Sequence, residues 1–193
     1  MTGATLPVMS QTAFDPPYVP LSRCDQALGV DGYAVMHPDE VMGWLPASRD
    51  ELAQLHRAWD GLPADAYLKD GGRYRRRRHS CFVLEGARVT PAPHRAHWQP
   101  LEYNALHGGM QRWFEPMDAG TLALPVWTRI LQRLGEAASA LHGERPWFVE
   151  AHPFRIDTTD GIGRPTPEGA HRDGVDLVAV FMVGRHAIKG GES

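Results

Sequence analysis

The apolar run Val175 to Val183, entered directly from Pro165-Thr-Pro-Glu-Gly-Ala-His171-Arg-Asp173-Gly174, constrains this chain more than any other segment. Leu177 to Val183 is apolar without a break. Its length suits an internal strand covered on both faces. Residues i and i+2 of a strand share a face about 7 Å apart along the backbone, so His171 and Asp173 at its mouth can converge on one ion. One imidazole and one carboxylate make two thirds of a 2-His-1-carboxylate set, which leaves open positions on Fe(II). A third ligand is expected further along. The sequence stops at Gly190-Gly-Glu192-Ser193, which reads as a hairpin turn, so the chain is expected to be a piece of a longer polypeptide. His171-Arg172-Asp173 also spells the start of a protein-kinase catalytic loop. Val178 stands where that loop needs a metal-binding Asn, and no Gly-rich loop precedes it, so the kinase reading fails.

With 193 residues, 42% hydrophobic and 22% charged, the composition is that of one globular unit. A formal charge of -3 argues against general nucleic-acid or membrane-surface binding. Cys24 and Cys81 are the whole cysteine complement, too few for a disulfide framework or a cysteine zinc site, and a reducing cytoplasm is expected. Residues 1–28 lack a basic segment followed by an apolar one, so no signal peptide is expected. Nothing is long and apolar enough to span a membrane.

Residues 1–28 read as an irregular arm broken by Pro7, Pro16, Pro17 and Pro20, and 29–193 as a single domain. Gly32 to Met36 reads as a short strand and Pro38 to Leu45 as a helix with Asp39 and Glu40 in its first turn. Ser48-Arg-Asp-Glu51 is a capping box opening a helix to about Asp60. Arg73 to Leu84 and Phe148 to Asp157 read as strands, with a long loop from Pro91 to Asp118. The clearest helix runs from Pro125 to His142, with Trp127, Ile130, Leu131, Leu134, Ala138 and Leu141 on one stripe and Gly143 as its stop. Helices early and strands late point to an α+β or helix-supported β fold.

Arg75 to Arg78 reads in two ways. Solvated charges on an edge strand are the plainer account. Because alternate residues face opposite sides, two of the four can instead enter a pocket, where Arg75 would pair with a substrate carboxylate. His79, His94, His97 and His107 form a loose cluster that fits no cysteine-containing zinc template. His152 is a sheet-face histidine, or one that lines a pocket. His186 follows Asp173 too closely to return to the same ion.

The segment around His171 resembles the small bacterial 2-oxoglutarate-Fe(II) dioxygenases that include the L-isoleucine hydroxylase and BsmA. Weaker pieces extend the likeness over roughly residues 30–193: Arg73-Tyr-Arg75, Gln99-Pro100, Tyr103-Asn104, Gly108-Gly109, Arg112 and Phe114. The resemblance implies a double-stranded β-helix, a cupin-like jelly roll with helices outside, here incomplete at its C-terminal end. It implies that His171 and Asp173 bind Fe(II), with a distal histidine and a 2-oxoglutarate-binding arginine beyond residue 193. Tyr103, Asn104 and Arg112 become candidates for substrate recognition.

The implied activity is hydroxylation of a small substrate, such as a free L-amino acid or derivative, with Fe(II), 2-oxoglutarate and O2, releasing succinate and CO2. No nucleic-acid or membrane partner is expected; a homodimer is allowed. The competing expectations are a non-catalytic jelly roll that binds a ligand or metal in stress or biofilm control, and, more weakly, an RNA-binding module built on Arg75 to Arg78.

Overall fold

The computed structural model describes residues 17–69, 73–159, 161–164 and 173–186. The segment expected to be an arm is already structured at its end. A 3-10 turn at Leu21–Arg23 runs into helix α1 (Cys24–Val30), whose Cys24 and Ala27 are buried. Gly32 to Met36 forms no strand; a backbone bond from Val19 N to Val35 O at 2.7 Å ties it to the segment before α1. Helix α2 (Pro38–Trp44) starts at Pro38, and the His37 ring caps it by accepting from the Asp39 amide. Helix α3 (Arg49–Gln54) opens with both bonds of the capping box and tightens into a 3-10 turn over Leu55–Trp59.

Each long strand expected from sequence divides in two. Strand β1 (Arg75–Arg77) pairs antiparallel with β5 (Phe154–Ile156), while β2 (Ser80–Glu85) lies between β3 (Arg88–Pro91) and β4 (Trp147–Ala151), also antiparallel. One division falls at Arg78-His79, the other at His152-Pro153, where proline has no amide to give a ladder. The Arg78 amide donates to the Pro153 carbonyl at 3.3 Å, so the two breaks lie side by side at the corner where the chain passes between sheets.

A short helix α4 (Ala119–Leu122) precedes α5 (Pro125–His142), which has the limits that Pro125 and Gly143 dictate. Helix α5 joins two apolar clusters. Val126 and Ile130 pack with Trp44, Leu45 and Leu55; Leu131 and Ala138 pack with Phe82, Leu84 and Trp147. Full burial of a side chain such as Leu131 stabilises by about 1.5–3 kcal/mol. Gly135 faces Leu84 so closely that an added Cβ would lie 3.1 Å from Leu84 Cδ1, which is how the helix approaches the sheet.

Among the described residues, helices combine with antiparallel sheets, as expected for a helix-supported β fold. The expected internal strand at Leu177 to Val183 is not formed. Residues 173–186 run without regular structure, and Val178, Val180, Phe181, Met182 and Val183 are exposed. Apolarity demands cover, but a strand also needs a ladder, and no described strand pairs with this segment. Leu177 packs against the second cluster, and the Phe181 ring lies 6.2 Å from that of Trp44. No described helix is long and apolar enough to cross a membrane.

Candidate functional site

The corner between the sheets carries a buried polar group. Strand alternation turns Arg75 and Arg77 inward and Arg76 outward, so the solvated-run account of these arginines does not hold for two of them. Arg75 Nε donates to Asp65 Oδ2 at 2.7 Å with both side chains out of solvent. Arg77 lies between two rings, its guanidinium carbon 4.0 Å from the Phe114 centroid and 4.3 Å from that of Phe154. Burial, then the neighbouring Arg75 charge, lower the Arg77 pKa to about 9.

Arg77 Nη2 meets His152 Nδ1. A guanidinium only donates, so His152 accepts there, and a neutral His152 carries its proton on Nε2. The His152 ring stacks on His79 with centroids 4.6 Å apart. Two residues before His152, on the same side of its strand, Glu150 accepts from His97 Nδ1 at 2.7 Å and faces His79 Nε2 at 3.6 Å. Burial would raise the Glu150 carboxyl; hydrogen bonding from His79 and His97 prevails and holds it at about 2. Burial lowers the His97 pKa, and burial with the Arg77 charge depresses that of His152 well below its ordinary value.

Potential ligand atoms of His79, His97, Glu150 and His152 all lie within 4.8 Å of one another, spacing compatible with a metal. The hydrogen-bond pattern describes a carboxylate hub. His97 aims a proton at Glu150, and Arg77 occupies the His152 nitrogen that would otherwise offer a lone pair.

A loop from His97 to Arg112 closes one side. Its ends exchange backbone bonds, His97 N to Arg112 O at 2.9 Å and Arg112 N to His97 O at 3.0 Å. Within it, Gln99 Oε1 accepts from Asn104 Nδ2 at 3.0 Å and Arg112 Nη2 at 2.9 Å, while Gln99 Nε2 donates to Asp173 Oδ1 at 3.0 Å. Asn104 Oδ1 also takes the His107 amide at 2.7 Å. Gly108 leaves no room for a side chain, since a Cβ would fall 2.4 Å from the Asn104 carbonyl oxygen.

The structure therefore brings together Asp173, Asn104 and Arg112 through Gln99, with Tyr103 against Gly174. His152 belongs to the adjoining imidazole group, and Arg75 is committed to Asp65. Of the four loop histidines, His79 and His97 converge, whereas His94 bonds the Phe114 carbonyl at 2.8 Å and His107 is buried in the loop. His171 lies outside the described residues, as do Glu192 and Ser193. Sequence reasoning missed Arg77, Gln99 and Glu150 as members of this group. Two had a signal: Arg77 is two residues beyond Arg75, and Glu150 two before His152, so strand alternation places each with a residue already singled out.

No curated protein sequence matches this chain. A solved structure of a bsmA homolog from Methylobium petroleophilum PM1 is 45% identical with a TM-score of 0.76, over 82% of this chain and 64% of that one. The structure of IDO from Bacillus thuringiensis, 14% identical with a TM-score of 0.61, covers 80% of this chain and 66% of that one and shows a shared fold. The chain thus spans about two thirds of either neighbour. The profile of the 2OG-Fe dioxygenase family matches residues 56–193, which takes in the corner, the loop from His97 to Arg112 and Asp173. With that match and the 45% identity over most of its length, the chain belongs to the 2OG-Fe dioxygenase family.

Proposed function

We propose that this protein is an Fe(II)- and 2-oxoglutarate-dependent dioxygenase that hydroxylates a small carboxylate-bearing substrate, an L-amino acid or a derivative, and releases succinate and CO2. The observation that carries the reading is the Asp173 carboxylate beside a buried polar group with fixed charges from two guanidiniums, Arg77 and Arg112, and one carboxylate, Glu150. The planar forks of two guanidiniums suit the carboxylate of an anionic ligand. The family fold would be the jelly roll, with the described sheets as part of it.

The donor chemistry suits the metal. Asp173 offers a carboxylate with one oxygen held by an amide, and His171 stands two residues before it. On this reading His171 and Asp173 hold Fe(II), with the third imidazole and the keto-acid arginine supplied from beyond residue 193. Bound iron would supply the oxidising chemistry; the chain's own residues bind and orient substrate and exclude water. Arg77 and Arg112 are the cations for a substrate carboxylate, and Tyr103, Asn104 and His152 shape the surroundings. A reducing cytoplasm belongs to the same reading, in keeping with the free, buried thiols of Cys24 and Cys81.

The imidazole group around Glu150 favours one second reading, a non-catalytic protein that binds metal or ligand there for regulation. Anaerobic titration of Fe(II) and 2-oxoglutarate into the full-length protein separates the two through the visible metal-to-ligand charge-transfer band. A band lost in His171→Ala and Asp173→Ala and kept in Glu150→Gln is expected. A band absent from the folded protein, or lost only in Glu150→Gln, rejects the assignment.

A further inference from the structure

Asp173 and Gly174 are gripped from two directions by one loop. Gln99 is buried, and its carboxamide has only one orientation that satisfies its neighbours. Arg112 and Asn104 both present N–H donors to Oε1, so a flipped amide would set its NH2 against two donors. Its NH2 is thereby directed at Asp173 Oδ1. One residue on, the ring of Tyr103 lies over Gly174, where an added Cβ would fall 2.5 Å from Tyr103 Cε2 and 2.7 Å from Cδ2. Gly174 also has φ +70°, the left-handed region that side chains disfavour. Conformation and contact both require glycine here. The loop itself is braced by the paired backbone bonds of His97 and Arg112 and the Asn104–His107 bond.

We propose that Gln99 is a positioning residue for the metal-binding carboxylate: with the Tyr103 ring seated on Gly174, it holds Asp173 through Oδ1. This rests on the assignment of Asp173 as a ligand. A carboxylate free to rotate must be ordered when metal binds, whereas one already held by a neutral donor need not be. Such outer partners typically change metal affinity by roughly 10–100-fold. The Arg112 charge acts through the same amide, polarising its N–H toward Asp173.

The test measures anaerobic Co(II) binding to the full-length protein by calorimetry, together with the energy of the Fe(II)–2-oxoglutarate charge-transfer band. Gln99→Met keeps the side-chain length and removes the donor; it is expected to weaken Co(II) by about 10–100-fold and shift the band to lower energy, because an unbonded carboxylate donates more strongly. Tyr103→Ala, at a partly exposed ring, perturbs the other half of the grip. It is expected to weaken Co(II) several-fold and supplies the test if Gln99→Met does not fold. Wild-type affinity and band energy in either variant, with native circular dichroism, overturn the proposal. If wild-type protein binds no Co(II) that depends on Asp173, the ligand assignment itself fails, an outcome separate from a dispensable Gln99.

Discussion

Asp65→Asn should destabilise the protein by about 3–5 kcal/mol, the usual cost of removing one partner from a buried ion pair. The Asp65 side chain is wholly out of solvent, and its contact with Arg75 Nε is 2.7 Å. Its other oxygen accepts from the Tyr67 amide at 2.9 Å, and its own amide donates to the Arg75 carbonyl at 2.9 Å. Asn preserves shape and some hydrogen bonding but removes the carboxylate charge that faces the buried Arg75 Nε. Opposite charges 4 Å apart in a medium of effective dielectric 20 attract by about 4 kcal/mol, which agrees with that range. For a chain of this size, each kcal/mol moves the melting temperature by roughly 2–4 °C, so the expected fall is about 6–20 °C. Urea denaturation of wild type, Asp65→Leu, Arg75→Met and the double variant Asp65→Leu/Arg75→Met gives the complete cycle, with Asp65→Asn measured beside it. The double variant should recover most of the loss, because apolar replacement of both partners removes the stranded charge. A loss below about 1 kcal/mol for Asp65→Asn, the behaviour of an exposed pair, would refute the reasoning and release Arg75 for a ligand.

Acid should weaken the fold in two stages. His97 and His152 are held below their ordinary 6.5, so the unfolded chain binds more protons than the folded one as pH falls below about that value, and stability declines. Glu150, held at about 2 against an ordinary 4.5, adds stability above 4.5 that is lost as pH falls through about 2. Urea midpoints measured against pH should decline in both windows, and His152→Gln should flatten the upper one; an unchanged upper slope in that variant would contradict the assignment. Arg77→Lys, which replaces a planar fork held between two rings by a point charge, is expected to lower kcat/KM roughly 10–100-fold through KM. An unaltered KM for substrate and keto acid would place both ligands elsewhere. Leu131→Ala, at a residue only 1% exposed, should cost about 2–5 kcal/mol, read from urea denaturation.

Local chemistry made several elements legible before any coordinates. Ser48 and Glu51 form the reciprocal cap that their spacing implies, and Pro125 and Gly143 mark both ends of α5. Alternation assigned Arg75 and Arg77 to one face but gave no information on partners. Asp65, ten residues upstream of Arg75, is brought to it by the fold, as is Glu150 to His97. The strand breaks were harder to see, because apolar alternation continues in register whether or not a strand changes sheets; Pro153 was the available signal. Gln99 stood only among the weaker pieces of the resemblance; a neutral amide has no charge pattern, and two of its three partners, Arg112 and Asp173, lie 13 and 74 residues away. The run after Gly174 shows the opposite limit: seven apolar residues state a need for cover without identifying the strand that would provide it.

The charge balance at the corner bears on which carboxylate serves the metal in the proposed enzyme. A bare divalent ion beside Glu150 would add two positive charges to a buried group that already contains Arg77 and Arg112. It would also displace the proton with which His97 bonds Glu150 and compete with Arg77 for His152. Both costs rise in a low-dielectric interior. Asp173 faces neither problem. It is exposed to solvent, accepts from the neutral amide of Gln99, and is linked to the guanidinium of Arg112 through that amide. The same arginines that disfavour a cation at Glu150 favour an organic anion in the proposed reaction. The corner therefore serves the proposed reaction best as the receptor for organic anions, with Glu150 stabilising its histidines and the metal carried at its edge.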